Sequence, residues 1–83
     1  MTATLGNLAV KADWQDVTVA FPTAANADVF IQNFDDDYVD VVFGGANAPS
    51  GSTGIRLDRL DSVQGNAANI WVRGDGTISV NLS

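Results

Sequence analysis

Cysteine, histidine and glutamate are all missing from this chain of 83 residues. Without cysteine there is no disulfide framework and no thiolate ligand. Without histidine there is no imidazole metal site, no Ser-His or Cys-His nucleophilic pair and no His-ligated haem. Cations are scarce as well: Lys11, Arg56, Arg59 and Arg73 stand against ten aspartates, for a net charge of −6. A nucleic-acid binder needs a cationic stripe to displace counterions, and an anionic membrane repels the same balance, so neither partner is expected. No apolar run approaches the roughly 20 residues that cross a bilayer. The start Met1-Thr2-Ala3-Thr4-Leu5 has no basic flank or apolar stretch of a signal peptide, and a soluble, unprocessed domain is expected.

What is present is globular: 46% of residues are hydrophobic and 17% charged, the opposite of a disordered composition. One small domain is expected, because a chain this short has too much surface for two cores. Cores of this size are marginal without disulfides or metal ions, which makes association with neighbours the leading expectation. Taking every acid as Asp also favours turns and caps over helix interiors, since the short carboxylate competes for backbone hydrogen bonds.

Alternation and turn residues predict an all-β fold, a small antiparallel β-sandwich or jelly-roll-like barrel of about 6–8 short strands. In Trp14–Phe21 the residues Val17, Val19 and Phe21 fall on one face, and Pro22 ends the strand. Asp28–Asn33 is apolar on both faces and reads as a central strand. Tyr38–Phe43 points Val39, Val41 and Phe43 inward before Gly44-Gly45 stops it by permitting backbone angles that side chains forbid. Asp35-Asp36-Asp37 ahead of it reads as a hairpin connection, and Ala46–Gly54 as a polar, mobile loop. Ile55–Leu57 and Leu60–Val63 are short pieces. Ile70 and Val72 oppose Trp71 and Arg73 on the next strand, and Gly74-Asp75-Gly76 is expected to close a hairpin onto Thr77–Leu82, with Ile78, Val80 and Leu82 inward. Residues 1–12, with Leu5, Leu8 and Val10, read as an N-terminal arm or an edge strand ahead of a single domain at 13–83. As an arm they would add a strand to a neighbouring subunit through Leu5 and Leu8.

Few constellations carry chemistry. Asp35, Asp36, Asp37 and Asp40 place four carboxylates within six positions, a hard-oxygen set suited to calcium. They lack the alternating ligands and closing Glu of a calcium loop, so a solvated acidic tip is the reading taken and no metal or cofactor is expected. Arg73-Gly74-Asp75 spells the tripeptide of integrin ligands, but its glycines serve a tight turn equally well. Gly44-Gly45 and Gly51–Gly54 are not followed by the Lys or helix start of a phosphate cradle. A carboxylate pair for glycoside hydrolysis needs a cleft this small fold has little room for, and no enzymatic activity is expected. Exposed aromatics stack sugars or anchor partners: Trp71, on the face opposite Ile70 and Val72, is assigned with Arg73 to a lateral contact, and Trp14 to capping the end of the core.

The series Ile31-Gln32-Asn33, the strand ending Phe43-Gly44-Gly45, Gly54-Ile55-Arg56-Leu57 and Ile70-Trp71-Val72-Arg73 resembles a loose group of small β-sandwich proteins encoded among the structural genes of tailed bacteriophages. The resemblance covers the last 53 residues; Asp35-Asp36-Asp37 and the N-terminal dozen lie outside it. It implies a non-enzymatic virion component assembled in the host cytoplasm. The expected role is a head decoration (cement) protein, a homotrimer on the major capsid protein or other virion subunits. A tail, collar or fibre-associated module and a carbohydrate-binding module using Trp71 or Trp14 are the alternatives, with a DNA-mimicking anti-host inhibitor last.

Overall fold

The computed structural model describes residues 3–49 and 54–82. Among them eight strands form two four-stranded antiparallel sheets. They are β1 (Ala3–Val10), β2 (Gln15–Asp16), β3 (Val29–Asn33), β4 (Val39–Gly44), β5 (Ile55–Leu57), β6 (Ser62–Gly65), β7 (Asn69–Gly74) and β8 (Gly76–Leu82). Sheet A has the order β1-β8-β3-β6 and sheet B the order β2-β7-β4-β5. Only β4 and β5 are both consecutive and paired; every other connection passes from one sheet to the other. An eight-strand double sheet wound this way is a jelly roll, one of the two expected forms.

The core lies between the sheets and is filled by inward positions of alternating strands. Ile31, Val39, Val41, Ile70, Val72, Ile78 and Val80 are fully buried, and Phe43 and Leu82 pack against them. β3 is interior to sheet A, bonded to β8 on one side and β6 on the other, with Val29, Ile31 and Asn33 buried on its inner face and Phe30 and Gln32 half-buried on its outer one. One inward position is polar. Asn33 is completely buried, donating from Nδ2 to Asp37 O (2.7 Å) and Leu57 O (2.9 Å) while Oδ1 accepts from Asp35 N (3.0 Å).

Four expectations from the sequence are corrected. The segment Gly74-Asp75-Gly76 is not a hairpin turn: β7 belongs to sheet B and β8 to sheet A, so the chain turns a corner there. Gly74 (φ +145°) and Gly76 (φ +131°) take backbone angles that side chains resist, and Gly74 N donates to Lys11 O at 2.9 Å. The corner thus runs beside the β1–β2 connection, which lets β1 pair with β8 and β2 with β7. Asp35-Asp36-Asp37 likewise spans the two sheets between β3 and β4 and joins no hairpin.

The third correction is at Trp14–Phe21, where only Gln15–Asp16 is strand. A single helical turn, α1 (Val17–Ala20), follows, and a 3-10 turn at Pro22–Ala24. Asp16 caps it: Oδ1 accepts from Thr18 N (2.9 Å) and Thr18 Oγ1 (2.6 Å), while Phe21 N reaches back to Val17 O (2.8 Å). Val17 stays buried, but Val19 swings out to 78% exposure. Fourth, Gly44 and Gly45 end β4 without entering the left-handed region. Of the loop expected over Ala46–Gly54, residues 50–53 lie outside the described residues.

Asp16 also ties α1 to β7, because Asn69 Nδ2 donates to its Oδ2 at 2.6 Å. Partial burial pushes the Asp16 carboxyl up. The hydrogen bonds from Thr18, Asn69 and the Ile70 backbone together outweigh that and hold it below its ordinary value of 3.8. A carboxyl with a depressed folded pKa contributes stability that is present above its unfolded value and lost as pH falls through the folded one. Asp16→Ala is therefore expected to cost about 1 kcal/mol at neutral pH, the usual worth of an N-cap. It should also flatten the loss of stability below about pH 4, measured by urea titrations at several pH values.

Candidate binding face

The outer face of sheet B carries the largest collection of aromatic and cationic side chains among the described residues. Register explains the grouping. Arg73 on β7 stands opposite Asp40 on β4, and Asp40 stands opposite Arg56 on β5. The Gln15–Val72 pairing continues outward to place Trp14 beside Arg73. One row thus crosses the sheet as Trp14, Arg73, Asp40 and Arg56. Tyr38, two residues before Asp40, shares the face and lies diagonal to Arg56.

The contacts follow the row. Asp40 is buried to 5% exposure and holds one arginine on each oxygen: Arg56 Nε is 3.2 Å from Oδ1, and Arg73 Nε is 3.7 Å from Oδ2. Each guanidinium also lies over a ring, Arg56 at 3.8 Å from the Tyr38 centroid and Arg73 at 4.7 Å from that of Trp14. The hydrogen bond to Asp40 raises Arg56 above even its high ordinary value. An open cavity of ≈ 440 Å³ is lined by Ala12, Asp37, Tyr38, Asp40, Arg56, Arg73, Gly74 and Asp75. In the next row Trp71 faces Val42, and its Nε1 donates to Gly45 O at 2.9 Å.

These placements revise several assignments made from the sequence. Trp71 and Arg73 share the outer face, as alternation requires, and both are half-buried. Trp14 does not cap the core; it carries Arg73 on the same outer face. Arg73 is engaged by Asp40 and Trp14, so the Arg73-Gly74-Asp75 tripeptide is a corner of the fold and not a displayed loop. Leu5 and Leu8 pack against the core of their own chain from β1, an edge strand of sheet A, and are not held out as an arm.

The four carboxylates considered for calcium do not converge. Asp40 belongs to the arginines and Asp36 pairs with Arg59 at 3.4 Å. Asp35 lies against Gly76, and no group of three or more acidic side chains arranged for a metal occurs among the described residues. The sequence alone missed the clamp on Asp40, although its strand parity put Asp40 outward with Tyr38. Nothing local marks Arg73 or Arg56 as its partners, because 16 or more positions separate each from it.

Burial separates the two kinds of ion pair. Asp40→Ala removes a nearly buried carboxylate but leaves arginines that can turn to water, so a loss of about 1–2 kcal/mol is expected. Asp36→Ala breaks a pair exposed on both sides and should change stability by less than about 0.5 kcal/mol. Denaturant midpoints of the two variants test the contrast.

Searches of the chain against family models, curated proteins and solved structures found no match. The reading of function therefore rests on the face itself and on the resemblance seen in the sequence.

Proposed function

We propose that this domain is a non-enzymatic assembly module, a head decoration protein of a tailed-phage particle, which docks through the outer face of sheet B. The observation that carries the reading is the row Trp14–Arg73–Asp40–Arg56 with Tyr38 and Trp71 beside it. Tryptophan, tyrosine and arginine are the residues that dominate binding energy at protein interfaces. Here the arginines are held in place before any partner arrives, so less side-chain freedom is lost on docking. Jelly rolls build capsid domains and lectins alike, and that analogy bears on architecture only.

Decoration needs no reaction. A shell bearing hundreds of copies gains avidity from individually modest contacts of about 800 Å² per partner. A mass-spectrometric inventory of purified particles tests the reading. Hundreds of copies per particle, heat resistance that falls without the protein, and trimers in solution are the expected results. Tens of copies would move the domain to the tail, collar or fibre, and absence from particles would end the proposal. Trp71→Ala combined with Arg73→Ala is expected to lower occupancy on particles at least roughly tenfold while leaving the fold intact.

Sugar recognition is the second reading, favoured by three aromatics on one face. Against it, Trp14 and Tyr38 each have one ring face covered by a guanidinium, and the Trp71 indole N–H is already bonded. Tryptophan fluorescence titrated with bacterial surface glycans separates the two: saturable quenching lost in Trp71→Ala would favour the sugar.

A further inference from the structure

Four connections, β1–β2, β3–β4, β5–β6 and β7–β8, meet at one end of the jelly roll, where three of them also border the cavity of the sheet B face. They contain seven of the ten aspartates and only two cations, Lys11 and Arg59, so five of the six net negative charges lie at this end. Two large apolar side chains stand exposed there, Phe34 at 46% and Leu60 at 57%. Leu60 N donates to Asn33 O at 2.7 Å, which brings the Leu60 backbone to the Asn33–Phe34 peptide.

The pair is held firmly. Leu60 sits at φ +65°, a left-handed conformation that glycine or asparagine adopts far more easily than leucine. Its loop is closed by Asp61 N to Asp58 O (3.0 Å) and Asp58 N to Asp61 Oδ2 (3.0 Å). Gln32 Nε2 fastens the Leu60 carbonyl at 3.1 Å. A strained residue that buries little of its own side chain gives nothing to the fold that glycine could not give there. Its use is then outward.

We propose that this acidic end is a second docking surface, with Phe34 and Leu60 as anchors for a protein segment that is basic around an apolar centre. Charge complementarity selects the occupant: the concentrated negative field draws in lysine and arginine, and a second copy of this chain, bearing the same aspartates, is repelled. The loop backbones are fastened before binding, so less backbone freedom is lost on docking.

A titration of the ¹⁵N-labelled full chain with a synthetic amphipathic leucine–lysine peptide tests this. Chemical-shift changes confined to residues 34–37 and 58–61 are expected, with binding weakened by salt. Phe34→Ser and Leu60→Gly should each reduce affinity roughly tenfold or more, whereas Asp28→Asn, on the opposite end, should leave it unchanged. Leu60→Gly should keep or raise the melting temperature, because glycine relieves the backbone strain. The proposal is overturned if affinity survives both apolar substitutions, which would mean charge attraction alone. It is also overturned if Leu60→Gly melts lower, or if the shifts map to Trp71 and Val42 in the middle of sheet B, which would assign the peptide to the sheet B face. Self-association through this end, seen by sedimentation and abolished by Leu60→Gly, would replace the proposed partner with a second copy.

Discussion

Gly74→Ala is expected to be the most damaging single methyl in the protein. A Cβ at this position would lie 2.5 Å from the Tyr38 carbonyl oxygen and 3.0 Å from Val39 Cα, both backbone atoms that cannot turn aside. The φ of +145° adds strain that only glycine escapes. Relief would require β4 to move away from the corner, loosening Val39 in the core and Asp40 in its clamp. A loss of about 3–5 kcal/mol follows, at the upper end of single-site effects. Against a total of about 5–15 kcal/mol for ordinary domains, that leaves a small domain near unfolding. Circular dichroism should show a melting temperature lower by about 15–25 °C. Gly45→Ala, where a Cβ would meet nothing within 4 Å, is the matched control and should shift it little. Equal behaviour of the two variants would mean that the corner gives way easily.

Asn33→Leu is expected to cost about 3 kcal/mol even though it fills the same space with apolar atoms. The amide joins the β3–β4 loop to the end of β5, through Asp37 O, Leu57 O and Asp35 N. Leucine leaves these backbone groups without their partner, and each buried one carries a penalty of about 1–3 kcal/mol. Every buried side-chain polar atom among the described residues is satisfied, so no spare donor stands ready to replace it. Hydrogen exchange should speed up first in residues 34–38 and 57–61, ahead of the rest of the sandwich. The same loops carry Phe34 and Leu60, so peptide affinity at the acidic end should fall along with stability. A loss under about 1 kcal/mol would show that water takes over the amide's role.

Much of the fold is legible in the order of residues alone. Val39 and Val41, Ile70 and Val72, Ile78 and Val80 alternate with polar neighbours, and alternation by itself places them inward. Val29 and Ile31 on β3 follow the same rule, while its place between β8 and β6 does not come from that pattern. Asp16 and Thr18 show why one segment departs from its pattern: Val17, Val19 and Phe21 alternate as a strand would, yet a side-chain cap two residues long turns that alternation into a helical turn. Asn33 is readable only as a polar residue at an inward position, since its partners at Asp37 and Leu57 belong to other elements.

The candidate face divides the same way. Parity puts Trp71, Arg73 and Asp40 outward, but their meeting depends on which strands lie side by side. Gly74-Asp75-Gly76 marks this limit most clearly. Those residues permit a sharp reversal, and the same angles serve a hairpin or a passage between sheets. The order of side chains along the chain determined which atoms seek the interior, because burial is a property each strand carries by itself. Only the tertiary structure decided that β7 pairs with β4 and β2 while β8 joins β1 and β3, because hydrogen bonds between distant strands form or fail together. From that pairing came the arginine clamp on Asp40 and the gathering of the aspartate loops at one end.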